Sequence, residues 1–265
     1  MRRSSFLVRI ILIGILLHIY VGLRLIPDMP VSAVGRWLCA LWLVLSIFLI
    51  PLGMLARTIK QQPLSDRLAW VGLLAMGFFS SLLVLTFVRD LALASLLTVD
   101  AIWPNSLTIA HWRIGSAAAV PLLALLSTLV GLFNARRRAR VVTIEVPIDD
   151  LPAALDGFTI VQISDIHVGP TIKGRYVDAI VDTVNRLKPD LIAVTGDVVD
   201  GSVPQLTKHT QPLSRLSARH GAFLVTGNHE YYAGANAWID EFRRLGLNVL
   251  LNEHVIVEHD GARAV

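Results

Sequence analysis

Two long runs without a charged residue constrain the fold of this chain most. Trp37 to Ala56 and Leu68 to Val88 are apolar almost throughout, and basic residues flank both runs. Because a bilayer crossing needs about 20 apolar residues, each run has the length of a transmembrane helix. Ile114 to Phe133 is also uncharged, and Phe6 to Leu23 is long enough although it contains Arg9. We therefore predict four transmembrane helices.

The apolar excess ends near residue 134, and this divides the chain. Of its 265 residues, 54% are hydrophobic, which is more than an ordinary soluble domain contains. We predict a membrane domain over residues 1–140 and a soluble domain over residues 141–265. The single cysteine, Cys39, lies in an apolar run, so a disulfide framework is excluded. His18, inside the first span, is interpreted as an interface or helix-contact residue and not as a ligand.

The distribution of basic residues predicts the orientation. Most of those before residue 141 precede the first span, lie between the second and third, or follow the fourth: Arg2, Arg3, Arg57, Lys60, Arg67, Arg136, Arg137, Arg138 and Arg140. The positive-inside rule then places the N-terminus and the soluble domain in the cytoplasm, in a multi-pass inner-membrane protein. The last run is interpreted as the flank of a span, or as a patch that holds anionic lipid or a lipid-linked phosphate. These arginines account for much of the net charge of +4, so no nucleic-acid partner is expected.

In the soluble domain, three polar clusters each follow a short apolar run. They are Ser164-Asp165-Ile166-His167, Thr195-Gly196-Asp197 and Thr226-Gly227-Asn228-His229-Glu230. Segments with helical character, 175–187 and 206–219, separate them, and strand, loop and helix in repetition predict a layered α/β domain with a mainly parallel sheet. Such sheets bind ligands beyond the carboxyl ends of their strands, so the clusters should converge on one edge.

The converging side chains are metal ligands by type. Carboxylate, imidazole and amide oxygen suit divalent ions such as Mn²⁺, Zn²⁺ or Fe²⁺. Asp197 follows the strand between the other two loops, where it can bridge two ions. Asn228 and His229 are adjacent and cannot easily bind the same ion, so His229 is predicted to face the substrate. Asp200 is interpreted as part of the following turn.

The series Asp165-x-His167, Gly196-Asp197, Gly227-Asn228-His229-Glu230 resembles the calcineurin-like metallophosphoesterase family, in its membrane-anchored branch. The resemblance implies a four-layer αββα fold and two divalent metal ions. It assigns Asp165 and His167 to one ion, Asp197 as the bridge and Asn228 to the second ion. It implies that His229 assists the leaving group or stabilises the phosphorane. Glu230 is interpreted as a residue that orients His229. The family pattern continues with further histidines that nothing after Glu230 matches, so we expect a truncated, incomplete domain.

The expected function is hydrolysis of a phosphodiester or pyrophosphate bond at the cytoplasmic membrane face. The spans argue for a substrate that is itself in the membrane, and the resemblance offers UDP-2,3-diacylglucosamine of lipid A synthesis. The alternative is a non-catalytic membrane scaffold with a decayed phosphoesterase domain. The sequence does not determine the oligomeric state.

Finer features carry expectations of their own. Val141 to Val146 alternates and is rich in β-branched residues, which predicts a first strand. Leu91 to Trp103 either lies in the membrane interface or extends the third helix. His254 and His259 would point to opposite faces of one strand, so both are interpreted as surface residues, as is His220. Tyr231 and Tyr232 either line the site or pack against other residues.

Overall fold

The computed structural model describes residues 2–56, 59, 61–104 and 108–265, with side chains from residue 8 onward. The chain forms two compact units, Met1–Arg137 and Arg138–Val265. The division lies three residues before the boundary expected from the sequence. Arg57 and Lys60, two of the basic residues that predict the orientation, lie outside the described residues.

The first unit contains four long helices among its described residues. They are α1 (Arg2–Leu25), α2 (Ala33–Leu55), α3 (Leu64–Ile102) and α4 (Ile109–Ala135). All four are long and apolar enough to cross a membrane. Three of them contain a predicted span whole, and α2 ends one residue before the end of its span. The α3 helix has 39 residues, so the segment after residue 91 extends the third helix.

Small residues allow α2 and α3 to approach closely. A Cβ added at Gly53 or at Gly72 would overlap the backbone of the other, and such small-residue contacts are typical of membrane helix pairs. His18 is buried between helices: its ring stacks on Phe79 with centroids 3.5 Å apart, and its Nε2 lies 3.0 Å from Ser46 Oγ. The interpretation of His18 as a helix-contact residue is confirmed.

A cluster of charges joins the helices at the end where α1 stops and α4 begins. Buried Arg89 donates to Asp28 Oδ2 at 2.6 Å and to the carbonyl oxygens of Arg24 and Arg113. The Arg24 and Arg113 side chains in turn pair with Asp90 at 2.8 Å and Asp28 at 2.7 Å. A buried charge needs such partners, and here the arginines and carboxylates largely neutralise one another.

The second unit is an α/β domain built on a four-stranded parallel sheet in the order β1-β2-β3-β4. Its strands are β1 (Ile160–Ile163), β2 (Leu191–Val194), β3 (Ala222–Leu224) and β4 (Asn248–Val249). Its helices are α5 (Gly174–Leu187), α6 (Val203–Thr210), α7 (Asn228–Ala233) and α8 (Ala235–Arg244). A hairpin follows, β5 (Val257–His259) and β6 (Ala262–Ala264). The predicted fold class, apolar helices followed by an α/β domain with a parallel sheet, is confirmed.

One face of this sheet is packed against helices. Ile192, Val194 and Leu224 are buried in a core with Val177 of α5 and Trp238 of α8. Apolar side chains recur on one side of α5 and α8, and burying them on the sheet supplies the main favourable free energy of the domain. Since β1, β2 and β3 are parallel neighbours, this packing brings their carboxyl ends to one edge.

The predicted first strand is absent. Residues 141–146 form no β-pairing in the described part of the chain, and Val142 is 76% exposed. Alternation of apolar and polar residues predicts a strand only where a partner strand and a surface to cover are available. Neither lies against this segment among the described residues.

The interpretation of His259 as a surface residue is wrong. His259 is 8% exposed, its Nδ1 lies 2.8 Å from His220 Nε2, and its ring meets Phe158 edge-on at 4.9 Å. The argument from opposite faces assumed one strand through His254 and His259, whereas β5 begins at Val257. The hairpin therefore places His259 independently of His254.

Candidate metal centre

The loops after β1 and β2 run side by side beyond the ends of their strands. Asp165 N donates to Gly196 O at 3.2 Å, His167 N to Asp197 O at 3.0 Å, and Val168 N to Val198 O at 2.8 Å. These bonds continue the strand pairing into the loops. They bring Asp165, His167 and Asp197 to the same edge of the sheet, as the sequence predicts.

Three of the predicted ligands have a left-handed backbone. The φ angles are 55° at Asp165, 51° at His167 and 53° at Asp197. A residue with a Cβ loses about 1–2 kcal/mol in this conformation relative to the right-handed one. Such strain persists only where surrounding contacts impose it, and it concentrates at functional sites. The strain therefore supports a functional role for these loops.

The loop after β3 approaches the loop after β2 through two glycines. Gly196 has a φ of 85°, and a Cβ there would overlap the backbone of Gly227. A Cβ at Gly227 would in turn overlap Asp197. His229 N donates to Asp197 Oδ1 at 3.0 Å across this contact. The absence of side chains at both glycines is what allows the third loop to reach Asp197.

Glu230 holds the second and third loops together. It is fully buried. Its Oε2 accepts from Asp197 N at 2.9 Å and Gly227 N at 2.7 Å, and its Oε1 accepts from Val198 N at 2.7 Å and Val199 N at 3.2 Å. The four N–H groups satisfy a carboxylate that burial would otherwise destabilise. The role of Glu230 in orienting His229 stays a prediction, and its bond to Gly227 N anchors the start of the helix that carries His229.

The residue that contacts the ring of His229 is Asp200. Its Oδ1 lies 2.5 Å from His229 Nδ1 and 3.0 Å from His167 Nδ1, and the two rings are 4.5 Å apart and nearly perpendicular. Sequence reasoning placed Asp200 in a turn and missed this role. The available signal was an acid three positions after Asp197 in the same loop.

These contacts fix which nitrogen of each ring is free. An ionised carboxylate only accepts hydrogen bonds, so the Nδ1 atoms of His167 and His229 carry the protons shared with Asp200, and the Nε2 atoms remain free to bind a metal ion or substrate. Burial by itself lowers the pKa of His167. The hydrogen bond to Asp200 and the charges of Asp200, Asp197 and Asp165 outweigh burial and raise that pKa above its ordinary value. The site favours positive charge, as a cation site should.

The donor set fits a divalent cation. His167, Asp197 and His229 each offer a ligand atom, and these atoms lie within 4.8 Å of one another. Imidazole and carboxylate suit Mn²⁺, Zn²⁺ and Fe²⁺. His229, which the sequence predicts to face the substrate, is thus one of the three residues that could bind the cation.

The remaining predicted ligands lie at the margin of this group. Asp165 Oδ1 is 3.8 Å from His167 Nε2, its side chain is 64% exposed, and Ser164 donates to its carboxylate. Asn228 is the exposed first residue of α7, directly after Gly227. Metal binding by Asp165, His167, Asp197 and Asn228 stays a prediction, and the geometry of the three loops is compatible with it.

The second unit is similar to known phosphoesterases. Residues 158–263, which contain all three loops, match the family model described as calcineurin-like phosphoesterase. The chain is 39% identical over 140 residues to a transmembrane protein with metallophosphoesterase domain from Danio rerio, covering 51% of this chain and 32% of that protein. It is 37% identical over 166 residues to the protein of the same description from Bos taurus, covering 57% and 37%.

A bacterial relative is also similar. An uncharacterised metallophosphoesterase of Aquifex aeolicus is 39% identical over 100 residues, which is 38% of each protein. The chain spans about a third of the length of the curated relatives described here. No solved structure matches the chain.

Proposed function

We propose that this chain, a membrane-anchored member of the calcineurin-like phosphoesterase family, hydrolyses a phosphodiester or pyrophosphate bond. The observation that carries the proposal is the convergence of His167, Asp197 and His229 at the carboxyl edge of the parallel sheet. The left-handed backbone of His167 and Asp197 supports it, since such strain concentrates at functional sites.

Each residue of the site would have a separate role in the reaction. His167 and Asp197 would hold divalent cations, which when bound polarise phosphoryl oxygens and acidify water. Asp200 keeps the rings of His167 and His229 oriented, with Nε2 facing outward. When a second proton is bound at Nε2, the imidazolium of His229 would donate a hydrogen bond to a phosphoryl oxygen and deliver that proton to the departing oxygen. Glu230 keeps Asp197 and His229 at a constant separation by binding the backbone of both loops.

The test is metal-dependent hydrolysis by the full chain in detergent, with bis(4-nitrophenyl) phosphate and Mn²⁺. We expect a chelator to abolish turnover and His229→Ala to lower kcat by about 10²-fold, the low end for a general acid. Asp200→Asn should lower it by about 10- to 100-fold, because it leaves the rings unoriented. Asp182→Asn, which removes an exposed partner of Arg215 on α5, is the matched control.

Two results would contradict the proposal. Turnover that survives the chelator would exclude a metal centre, and equal rates for wild type and His229→Ala would remove His229 from the mechanism. A chain that neither turns over the diester nor binds Mn²⁺ would favour the alternative function, a non-catalytic membrane scaffold.

For the substrate we propose a lipid-linked phosphate ester or pyrophosphate, with UDP-2,3-diacylglucosamine as the specific candidate. The support is that four helices able to cross a membrane and the phosphoesterase domain belong to one chain. Release of UMP from UDP-2,3-diacylglucosamine in mixed micelles measures this directly. If bis(4-nitrophenyl) phosphate is turned over and UDP-2,3-diacylglucosamine is not, this substrate is excluded.

For the location we propose the cytoplasmic face of the membrane. At the end of the helices near Asp28, the arginines pair with carboxylates. At the other end Arg136 lies 5.2 Å above the Trp70 ring, in a run with Arg137, Arg138 and Arg140. A run of basic residues directly after a membrane span is typical of the cytoplasmic side.

Cysteine labelling tests the orientation. In a Cys39→Ser background, Val142→Cys, at an exposed position after α4, should react with a membrane-impermeant maleimide only after the cells are permeabilised. Val31→Cys, at an exposed position between α1 and α2, should react in intact cells and is the matched control. The reverse labelling pattern would show that the orientation is inverted.

A further inference from the structure

Two exposed tyrosines follow the third loop of the metal centre. Tyr231 is 64% exposed and Tyr232 is 77% exposed, both on α7. Aromatic side chains usually bury most of their large surface, either in the core or against a binding partner. Neither ring belongs to the buried core of this unit. Two exposed aromatic rings thus stand beside a polar centre.

Tyr232 has a defined position relative to the reacting groups. Its ring lies 5.6 Å from the ring of His229, edge to face. His229 is itself held by Asp200 through its ring and by Asp197 through its backbone. Buried Glu230, which follows His229 in the chain, accepts from Gly227 N and from Asp197 N and so connects the start of α7 to the loop after β2. Tyr232 thus stands on the side of the site where His229 would meet the departing oxygen.

Tyr231 differs from its neighbour in what it contacts. Its hydroxyl accepts a hydrogen bond from Thr226 Oγ1 at 3.4 Å, so it is connected to the loop by its polar end. Tyr232 presents its ring to His229 and to solvent. The two tyrosines therefore provide a test position and a matched control on the same short helix.

We propose that Tyr232 binds a flat ring carried by the leaving group of the substrate, an aryl group or a nucleobase. The inference rests on the proposed phosphoesterase function and narrows its substrate class. A ring attached to the departing oxygen next to His229 would lie against Tyr232. Aromatic stacking there would contribute to the binding free energy without a hydrogen bond to the ring. Esters with such a leaving group are then preferred over alkyl esters by about tenfold, the size of one stacking contact.

Two non-hydrolysable ligands measure this preference without turnover. Isothermal titration of the full chain with Mn²⁺ present compares phenylphosphonate with methylphosphonate, which share the phosphoryl group and differ in the ring. Wild type should bind phenylphosphonate about tenfold more tightly. Tyr232→Ala should remove the difference and leave methylphosphonate binding unchanged, whereas Tyr232→Phe should keep the difference because the ring remains. Tyr231→Ala should also keep it.

The possible failures are distinguishable. Equal affinity of wild type for both phosphonates, or a preference that survives in Tyr232→Ala, overturns the role of Tyr232 and leaves the phosphoesterase proposal intact. Loss of the preference in Tyr231→Ala as well as in Tyr232→Ala assigns the effect to the helix and overturns the specific role. If wild type binds neither phosphonate with Mn²⁺ present, the metal centre itself fails, and both proposals fail with it.

Discussion

Replacing Asp197 with alanine is expected to lower kcat for bis(4-nitrophenyl) phosphate by about 10⁴-fold. Asp197 supplies the carboxylate of the group formed with His167 and His229, and it also accepts from His229 N. Losing this ligand removes several kcal/mol of charge stabilisation from the transition state, and each 1.36 kcal/mol corresponds to about tenfold in rate. Steady-state kinetics at saturating Mn²⁺ measures the loss, and calorimetry should show weakened Mn²⁺ binding.

Asp197→Asn separates the loss of charge from the loss of structure. The asparagine oxygen can still accept from His229 N, so the loops should remain in place while the negative charge is gone. We expect nearly the same loss of activity as in the alanine variant, with unchanged thermal stability. Asp178→Asn, at an exposed carboxylate paired with Arg215, is the control and should behave as wild type. A loss below tenfold in Asp197→Ala would show that Asp197 holds no catalytic metal.

Glu230→Gln is expected to destabilise the second unit by about 3 kcal/mol or more, although it changes neither size nor shape. Each oxygen of Glu230 accepts from two backbone N–H groups. Whichever way the glutamine amide turns, its NH₂ group faces two of these donors and leaves them buried without an acceptor. Lost bonds to a charged acceptor cost about 1.5–3 kcal/mol each, and for a domain of this size the unfolding temperature should fall by about 10 °C.

Two measurements check the Glu230 prediction on the full chain in detergent. The thermal unfolding temperature should fall. Hydrogen exchange of the Asp197, Val198 and Val199 amides should accelerate, because these donors lose their acceptor. Glu258→Gln, which removes an exposed partner of Arg263, is the control and should change neither. Unchanged exchange at the three amides would refute the proposed anchoring role.

Local sequence patterns predicted the place of some residues of the metal centre. The roles of others follow only from their contacts in the folded domain. Asp165, His167 and Asp197 each follow a short apolar run, and that regularity predicts their position at strand ends. Asp200 and Glu230 have equally local patterns, a turn and the start of a helix, but their roles come from partners in other loops. Asp200 reaches His229 across 29 positions, and Glu230 reaches Asp197 across 33.

The hairpin and the segment after α4 show the same limit. Alternation in Val141 to Val146 describes a strand that lacks a partner among the described residues, so the periodicity is present and the strand is not. Alternation across His254 and His259 describes a single strand that the chain does not form, and His259 is buried against His220. In each case the local pattern was compatible with a strand, and strand pairing in the fold decided where strands form.

The composition and periodicity of the chain were enough to identify the four apolar spans, the parallel α/β domain and its three polar loops. The reason is that bilayer thickness, helix period and strand alternation are properties of consecutive residues. Which oxygen accepts from which N–H group depends on residues about 30 positions apart that meet only in the folded sheet. The anchoring by Glu230, the shared Asp200 and the burial of His259 could therefore be learned only from the folded chain.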